Sequence, residues 1–348
     1  MPFKKFLDRK IVEQADKLSE TDLRHFLLDM FLGETCNLHC KHCYFGDHKP
    51  TTNILNYEQW VEIINDFLNS GCRHFHISGK ESLLSQHTFA IMEYLNNCKD
   101  VYENVYWGII TNGVSLKPNQ YNELLQSSID YLEISLDGYM CSHDFIRGVG
   151  VYDKVISVLS QLQNLSKINI SYTINNHNAE DFQKVINQLY KIGVKKFYCA
   201  PMQNKGSAIH YNIETITLNH YLEVIENIKN YIYSKSSEFQ DLKIRFSVPH
   251  ALVELMLGIE PYSAMILEYF QSGKPINWRF DSNNIELSLH TISIPLFNHV
   301  SITSDGSVLL SSDRVAEEHS LGKYDGISAF MKMRKTCIHK YFTTNEKA

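Results

Sequence analysis

Three thiols stand close together in this chain, in the segment Cys36-Asn37-Leu38-His39-Cys40-Lys41-His42-Cys43. Their spacing, CxxxCxxC, suits an iron–sulfur cluster or a zinc ion, since both take thiolate ligands. Eight cysteines spread over 348 residues would give this spacing by chance in roughly 0.4% of chains. Ligand number separates the two metals. Structural zinc wants four ligands, as a rule two cysteine pairs, and no second pair is present. His39 and His42 are interleaved with the thiols and poorly placed to close a tetrahedron. Three cysteines leave one iron of a four-iron cluster without a protein ligand, open to a substrate or cofactor. Zinc, and cysteines merely packed after a strand, stay as competing readings.

The other cysteines (Cys72, Cys98, Cys141, Cys199 and Cys337) are scattered, too sparse for a disulfide scaffold. A reducing compartment with one metal or cluster site accounts for them. The chain is 44% hydrophobic with a net charge of −6, which argues against bulk nucleic-acid binding. No run reaches the roughly 18 apolar residues of a membrane span, and the first ten residues do not read as a signal peptide. The expected location is cytoplasmic.

The elements that must position the thiols come next. Residues 8–24 read as an amphipathic helical lead. Strands are expected at 25–33, 73–78, 104–110, 130–136, 167–174 and 195–201, with helices at 57–69, 86–97, 118–127, 151–164 and 179–192. Such alternation implies right-handed βαβ units and a parallel sheet, hence an α/β fold. Ile109-Ile110 and Ile168-Asn169-Ile170 read as strands covered on both faces. A doubly wound sheet and an incomplete barrel both fit, and both gather ligands beyond the strands' C-terminal ends. Cys36, Ser78-Gly79, Thr111-Asn112-Gly113, Ser135-Leu136-Asp137-Gly138 and Pro201 all fall there. After residue 210 the alternation is expected to stop. A helix near 217–235, helical segments near 249–271, strands at 285–293, 298–303 and 307–311 and a last helix at 326–341 make an α+β extension. The expected domains are therefore 1–24, 25–210 and 211–348.

The cysteine motif resembles that of the radical SAM superfamily, whose fold is a partial (β/α)6 barrel. The resemblance implies one [4Fe–4S] cluster on Cys36, Cys40 and Cys43. It also implies S-adenosylmethionine (SAM) chelating the open iron and cleaved reductively to a 5′-deoxyadenosyl radical. His42, Tyr44 and Phe45 would then lean on the adenine. Ile77-Ser78-Gly79-Lys80-Glu81-Ser82-Leu83-Leu84 sits where the family has Gly-Gly-Glu-Pro-Leu-Leu, so Gly79, Lys80 and Glu81 would lie at the methionine amine. Lys80 replaces a glycine there and reads equally as a solvent-pointing lysine; Ser82 replaces a proline. Thr111-Asn112-Gly113 resembles the Thr-Asn-Gly after the third strand, with Asn112 at the cofactor, or is an ordinary turn.

Ser135-Leu136-Asp137-Gly138 followed by His143-Asp144-Phe145-Ile146-Arg147-Gly148 is similar to the SPASM/twitch branch. By that match Ser135 would bond the SAM ribose. Arg147 would meet the methionine carboxylate with its planar fork. Asp137 would join the cofactor site, or, like Asp144, serve a turn or a helix cap. Met202 would face the adenine or be plain core. Ser304-Asp305-Gly306 sits in a hairpin at 298–311 like the one that opens a SPASM/twitch domain, yet Ser311-Ser312 follow where cysteine is expected. The extension is thus expected to be degenerate, without auxiliary clusters, and Cys337 to be a buried thiol.

What the resemblance implies is a radical enzyme acting on a ribosomally made peptide by crosslinking, epimerisation or side-chain change. A flavodoxin or ferredoxin would be its reductant, and a separate peptide-recognition protein a further partner. A small-molecule tailoring enzyme is the alternative, and a non-catalytic Fe–S or zinc-binding partner protein a third. Without auxiliary clusters a redox-neutral outcome is favoured. An epimerase would need a hydrogen donor, a role open to Cys72, Cys141 or Cys199 unless they are core.

Overall fold

The structure, a computed structural model, describes residues 22–24, 26–46, 53–248, 255–256, 258–260, 262–272, 276–280, 284–291, 299–309 and 320–343. The helical lead at 8–21, Ser311-Ser312 and the side chain of Cys337 lie outside the described residues. Among the described residues no helix is long and apolar enough to cross a membrane. The chain divides into two compact units, residues 1–35, 49–109 and 294–348 in the first and 36–48 and 110–293 in the second. These boundaries are drawn differently from the sequence domains, since the chain's last strands join its first.

In the first unit β1 (Leu27–Phe31), β2 (His74–Ser78) and β3 (Tyr106–Thr111) run parallel. β10 (His299–Ile302) lies parallel on the other side of β1. β11 (Ser307–Leu309) folds back on β10, and β12 (Ser320–Lys323) pairs antiparallel with β11. Helix α1 (Tyr57–Asn69) starts at Asn56, whose side chain accepts from the Gln59 N–H in a capping box. Its apolar stripe, Trp60, Ile63, Ile64, Phe67 and Leu68, follows the helical period. Phe67 meets Phe330 of α10 (Gly326–Thr343), and Phe330 in turn meets Phe26. Arg334 of α10 is buried over the Phe26 ring, and burial brings its pKa down to about 9. The 3₁₀ turn Ser82–Leu84 and α2 (Thr88–Val101) complete the unit between β2 and β3.

In the second unit β4 (Tyr131–Ser135), β5 (Ile168–Ile174), β6 (Lys196–Pro201), β7 (Lys243–Val248) and β9 (Ile285–Thr291) are parallel neighbours in that order. β8 (Ile276–Phe280) pairs antiparallel on β9. The helices are α3 (Pro118–Gln126), α4 (Met140–Arg147), α5 (Val151–Gln161), α6 (Phe182–Ile192), the single turn α7 (Ser207–His210), α8 (Leu218–Ser234) and α9 (Tyr262–Ser272). The parallel run does not stop at residue 210: β7 and β9 extend it.

The expectation that helices cover both faces is also corrected. β5 alternates between buried Ile168, Ile170, Tyr172 and Ile174 and half-buried Asn169, Ser171 and Thr173. Phe182 of α6 packs against Tyr172, Phe197 and Phe246, so α6 covers the apolar face. Burying such a ring contributes about 1.5–3 kcal/mol. The opposite face carries Glu133, Ser135, Asn169, Ser171 and Tyr198. A sheet sandwiched between helices would be apolar there too.

Candidate functional site

The thiol loop leaves β1 and belongs to the second unit. Its thiols form no disulfide and are half-buried, and several groups reach toward their sulfurs. The Leu38 N–H points at Cys36 Sγ (3.4 Å), Asn112 Nδ2 at the same sulfur (4.0 Å), and Arg147 Nη1 at Cys40 Sγ (3.9 Å). Burial pushes the Cys40 thiol up to about 11, helped by the neighbouring Cys43 and Cys36 and opposed by the Arg147 guanidinium. Thiols this close together, with donors aimed at their sulfurs, are built for a cation that takes them as thiolates.

Among the described residues no three His, Cys, Asp or Glu side chains converge as ligands of a single ion do. Cysteines that each hold a different iron of a cluster do not have to converge. The arrangement therefore fits a cluster and gives no support to zinc.

The loop is fastened at three places. Asn112, just past β3, donates from Nδ2 to Asn37 Oδ1 at 2.6 Å and accepts from the Val114 N–H at 3.0 Å. The Lys41 N–H donates to the Ile146 carbonyl at 2.8 Å, and Lys41 Nζ lies 3.6 Å from the Phe145 ring centre. At the far end the Ser207 N–H bonds the Cys43 carbonyl (2.9 Å), and Gly46 faces Gly206. Both glycines have positive φ, 57° and 54°. A Cβ on Gly206 would run into the Cys43 and Tyr44 carbonyl oxygens, so only glycine lets the loop lie there.

Asp137 is neither a turn residue nor a cap. It is fully buried and accepts from Arg147 Nε at 2.5 Å, His42 Nε2 at 3.0 Å and the Thr173 N–H at 2.7 Å. The Arg147 and His42 charges hold its carboxyl well below the usual carboxylate range despite burial, and Asp137 raises Arg147 in return. With Nε committed to Asp137 and Nη1 turned to Cys40, Arg147 can meet a carboxylate through its terminal nitrogens only. Asp144 does cap a helix, accepting from the Gly150 and Tyr152 N–H groups at the start of α5.

Ser135 ends β4 in register with Ser171. Tyr44 is half-buried and stacked on Phe45 at 4.5 Å. Met202 is 5% exposed, in a small core with Ile146, Ala208 and Ile213. Gly79, Lys80 and Glu81 belong to the first unit. Gly79 has φ 110°, and a Cβ there would press on Phe31. The Glu81 N–H donates to the Thr35 carbonyl (3.0 Å) and its buried carboxylate accepts from Leu83 N. Lys80 is half-buried. Cys72 and Cys199 are buried and Cys141 is exposed.

Sequence reasoning missed His143, whose Nδ1 accepts the Asp137 N–H at 3.0 Å. Burial, then Arg147, lowers its pKa to about 4. An unfolded histidine takes its proton near 6.5, so this group's contribution is complete above that pH and is lost as pH falls toward 4. Between pH 7 and pH 5 the loss should be about 2 kcal/mol. Urea unfolding at the two pH values should show it in the native chain and not in His143→Asn, whose carboxamide can accept the same N–H without titrating. Equal pH dependence in both proteins would rule the attribution out.

Residues 30–189 match the family model described as the radical SAM superfamily. The chain is 25% identical over 179 residues to the sporulation killing factor maturation protein SkfB of Bacillus subtilis, a match covering 51% of this chain and 42% of SkfB. It is 27% identical over 178 residues to the pre-heme d1 synthase of Dinoroseobacter shibae, covering 50% of this chain and 43% of that protein. The matches thus span less than half the length of these curated relatives. Among solved structures, Streptococcus suis SuiB bound to the precursor peptide SuiA superposes with a TM-score of 0.65 at 16% identity, covering 96% of this chain and 68% of SuiB. That likeness shows the fold, and SuiB has also been solved with S-adenosylmethionine bound. Residues 30–189, just under half of the chain, thus match the radical SAM superfamily, with similar proteins in its SPASM/twitch-type branch, and that match implies a [4Fe–4S] cluster and S-adenosylmethionine as cofactors.

Proposed function

We propose that this chain is a radical SAM enzyme that modifies a ribosomally made peptide, with Cys36, Cys40 and Cys43 holding its cluster. The observation that carries the reading is the thiol loop itself, with Asn112 and Arg147 directed at its sulfurs. When bound, the reduced cluster supplies the electron that cleaves SAM to a radical able to abstract a substrate hydrogen. The chain's own residues orient and exclude water. Asp137 fixes the Arg147 guanidinium, whose terminal N–H groups would take the methionine carboxylate. Glu81 would accept the methionine amine and Ser135 the ribose.

A peptide substrate draws support from SkfB, a maturation protein, and from SuiB, solved with its precursor peptide. The pre-heme d1 synthase favours a second reading, a tetrapyrrole or other small molecule. The polar face of β4–β6 weighs against it, because a macrocycle asks for an apolar platform. Flavodoxin or ferredoxin as reductant, a separate peptide-recognition protein and a cytoplasmic setting complete the proposal.

Anaerobic reconstitution tests it. About four irons per chain, with 5′-deoxyadenosine formed from SAM under reduction, is the expected result. Eight or more irons would overturn the single-cluster reading. One zinc per chain without deoxyadenosine would overturn the radical enzyme.

A further inference from the structure

Glu133 precedes Ser135 by one pleat on the polar face of β4, and Asn169 and Ser171 stand opposite them on β5 in register. Two adjacent strands, about 4.8 Å apart, thus present a carboxylate, a carboxamide and two hydroxyls. Glu133 is 9% exposed. Asn169 Oδ1 is buried and has no hydrogen-bond partner among the described residues, an acceptor left waiting for a donor. A carboxylate can accept about four hydrogen bonds, so Glu133 can serve a ligand alongside a protein neighbour. On the same face Tyr198 pairs with Ser171, and Arg245 pairs with Tyr198. Arg245 is therefore three strands from Glu133, about 14 Å away. Nearer, Lys196 stands beside Asn169 on β6 and pairs with Lys243, its Nζ turned away to donate to the Ser166 carbonyl at 2.8 Å; Glu133 and Asn169 Oδ1 are the acceptors between that lysine and Ser135.

We propose that Glu133 and Asn169 form a subsite for the cationic end of the substrate, an ammonium or guanidinium group. This inference rests on the reading of Ser135 as a SAM contact. Ser135 lies two residues up the strand from Glu133, a rise of about 6.6 Å. An extended lysine spans about 6 Å from Cα to Nζ. A lysine-type side chain anchored at Glu133 therefore brings its Cα and Cβ to the level of Ser135. The subsite selects against carboxylate-bearing substrates, because a second anion beside Glu133 is repelled.

The test uses the reconstituted full-length chain with SAM, kept anaerobic, and follows binding calorimetrically. The probes are the Nα-acetyl methylamides of lysine and arginine, the neutral norleucine analogue, and cadaverine as a free amine. A cationic probe should bind at least tenfold more tightly than norleucine methylamide. Glu133→Gln should remove that preference and Asn169→Asp should increase it. Lysine methylamide above cadaverine identifies the carrier as a peptide residue, and the reverse order a free amine; either order supports the subsite. Equal binding of the lysine and norleucine probes overturns it. So does an unchanged preference in Asn169→Asp, which decides the matter should Glu133→Gln fail to fold. The same native preparation is assayed for 5′-deoxyadenosine. Cleavage without cation preference defeats the subsite alone, and absence of cleavage defeats the enzyme reading instead.

Discussion

Asp137→Ala is expected to cost about 3–5 kcal/mol of stability and to leave the thiol loop unable to retain iron. The carboxylate is fully buried and receives Arg147, His42 and a backbone N–H at once. Its removal strands a guanidinium whose side chain is only 10% exposed, and an uncompensated buried charge is among the most damaging changes a core can suffer. Asp137→Asn keeps the acceptor for Thr173 and loses the charge, so it should fall between. Because the folded carboxyl titrates well below the ordinary carboxylate range, its contribution is present above about pH 4 and lost only on acidification through the folded value. The carboxyl's own titration should therefore add nothing to the gap between native and alanine proteins from pH 5 to pH 8. Urea unfolding across that range, with iron counted after anaerobic reconstitution, measures both effects. Identical unfolding midpoints would show that Arg147 finds another counter-ion.

Gly206→Ala should have the next largest effect, and on a different property. Gly206 adopts φ 54° and ψ −130°, a region open in practice to glycine alone. An added methyl would overlap the carbonyls of Cys43 and Tyr44, both backbone. Neither can swing aside as a side chain can, so the loop must lift from its bed. The strain costs about 1–3 kcal/mol, and the bond from Ser207 N–H to the Cys43 carbonyl is the first to go. Iron retention after gel filtration and the low-temperature EPR signal of the reduced protein should both fall several-fold. Gly150→Ala supplies the control. Its φ is 77°, yet nothing lies within 4 Å of the added Cβ. It should lose stability of the order of 1 kcal/mol with iron content unchanged. A Gly206→Ala protein that holds iron like the native chain would mean the loop does not depend on this contact.

Much of the fold through residue 201 was legible because its signals are local. The expected helix at 57–69 matches Tyr57–Asn69 since the cap, the stripe and the end all lie within fourteen residues. The strands through 201 are bracketed by helices of the right length. What escaped was long-range or geometric. Ile168-Asn169-Ile170 reads as a strand buried on both sides only while Asn169 is counted as an interruption, whereas the fold makes it a member of a polar face. β7 carries alternating Lys243, Ile244, Arg245 and Phe246, whose charges mask a strand that packs by one face.

In the site, the thiol spacing announced its own chemistry, and Asn112 was found through its neighbours in sequence. The turn or cap reading of Asp137 failed because its partners lie on three different elements. Ten residues and a whole helix separate it from Arg147. His143 gave no signal beyond its place in the motif, since the tautomer that accepts from Asp137 is a property of the folded turn.

The pairing of β10 with β1 has a consequence for the order of synthesis. Asp29 of β1 is bonded by Ser301 of β10, 272 residues later in the chain. A ribosome adding about 5–20 residues per second exposes the thiol loop on the order of 10–50 s before that neighbour emerges. During this interval β1, which leads directly into the thiol loop, lacks one of its two flanking strands. Iron–sulfur assembly therefore acts on a nascent chain whose thiols are accessible and whose first strand is half-paired, or it waits until translation has passed residue 302. Expression that outpaces the iron supply should then yield a chain that is complete, folded around β10 and empty.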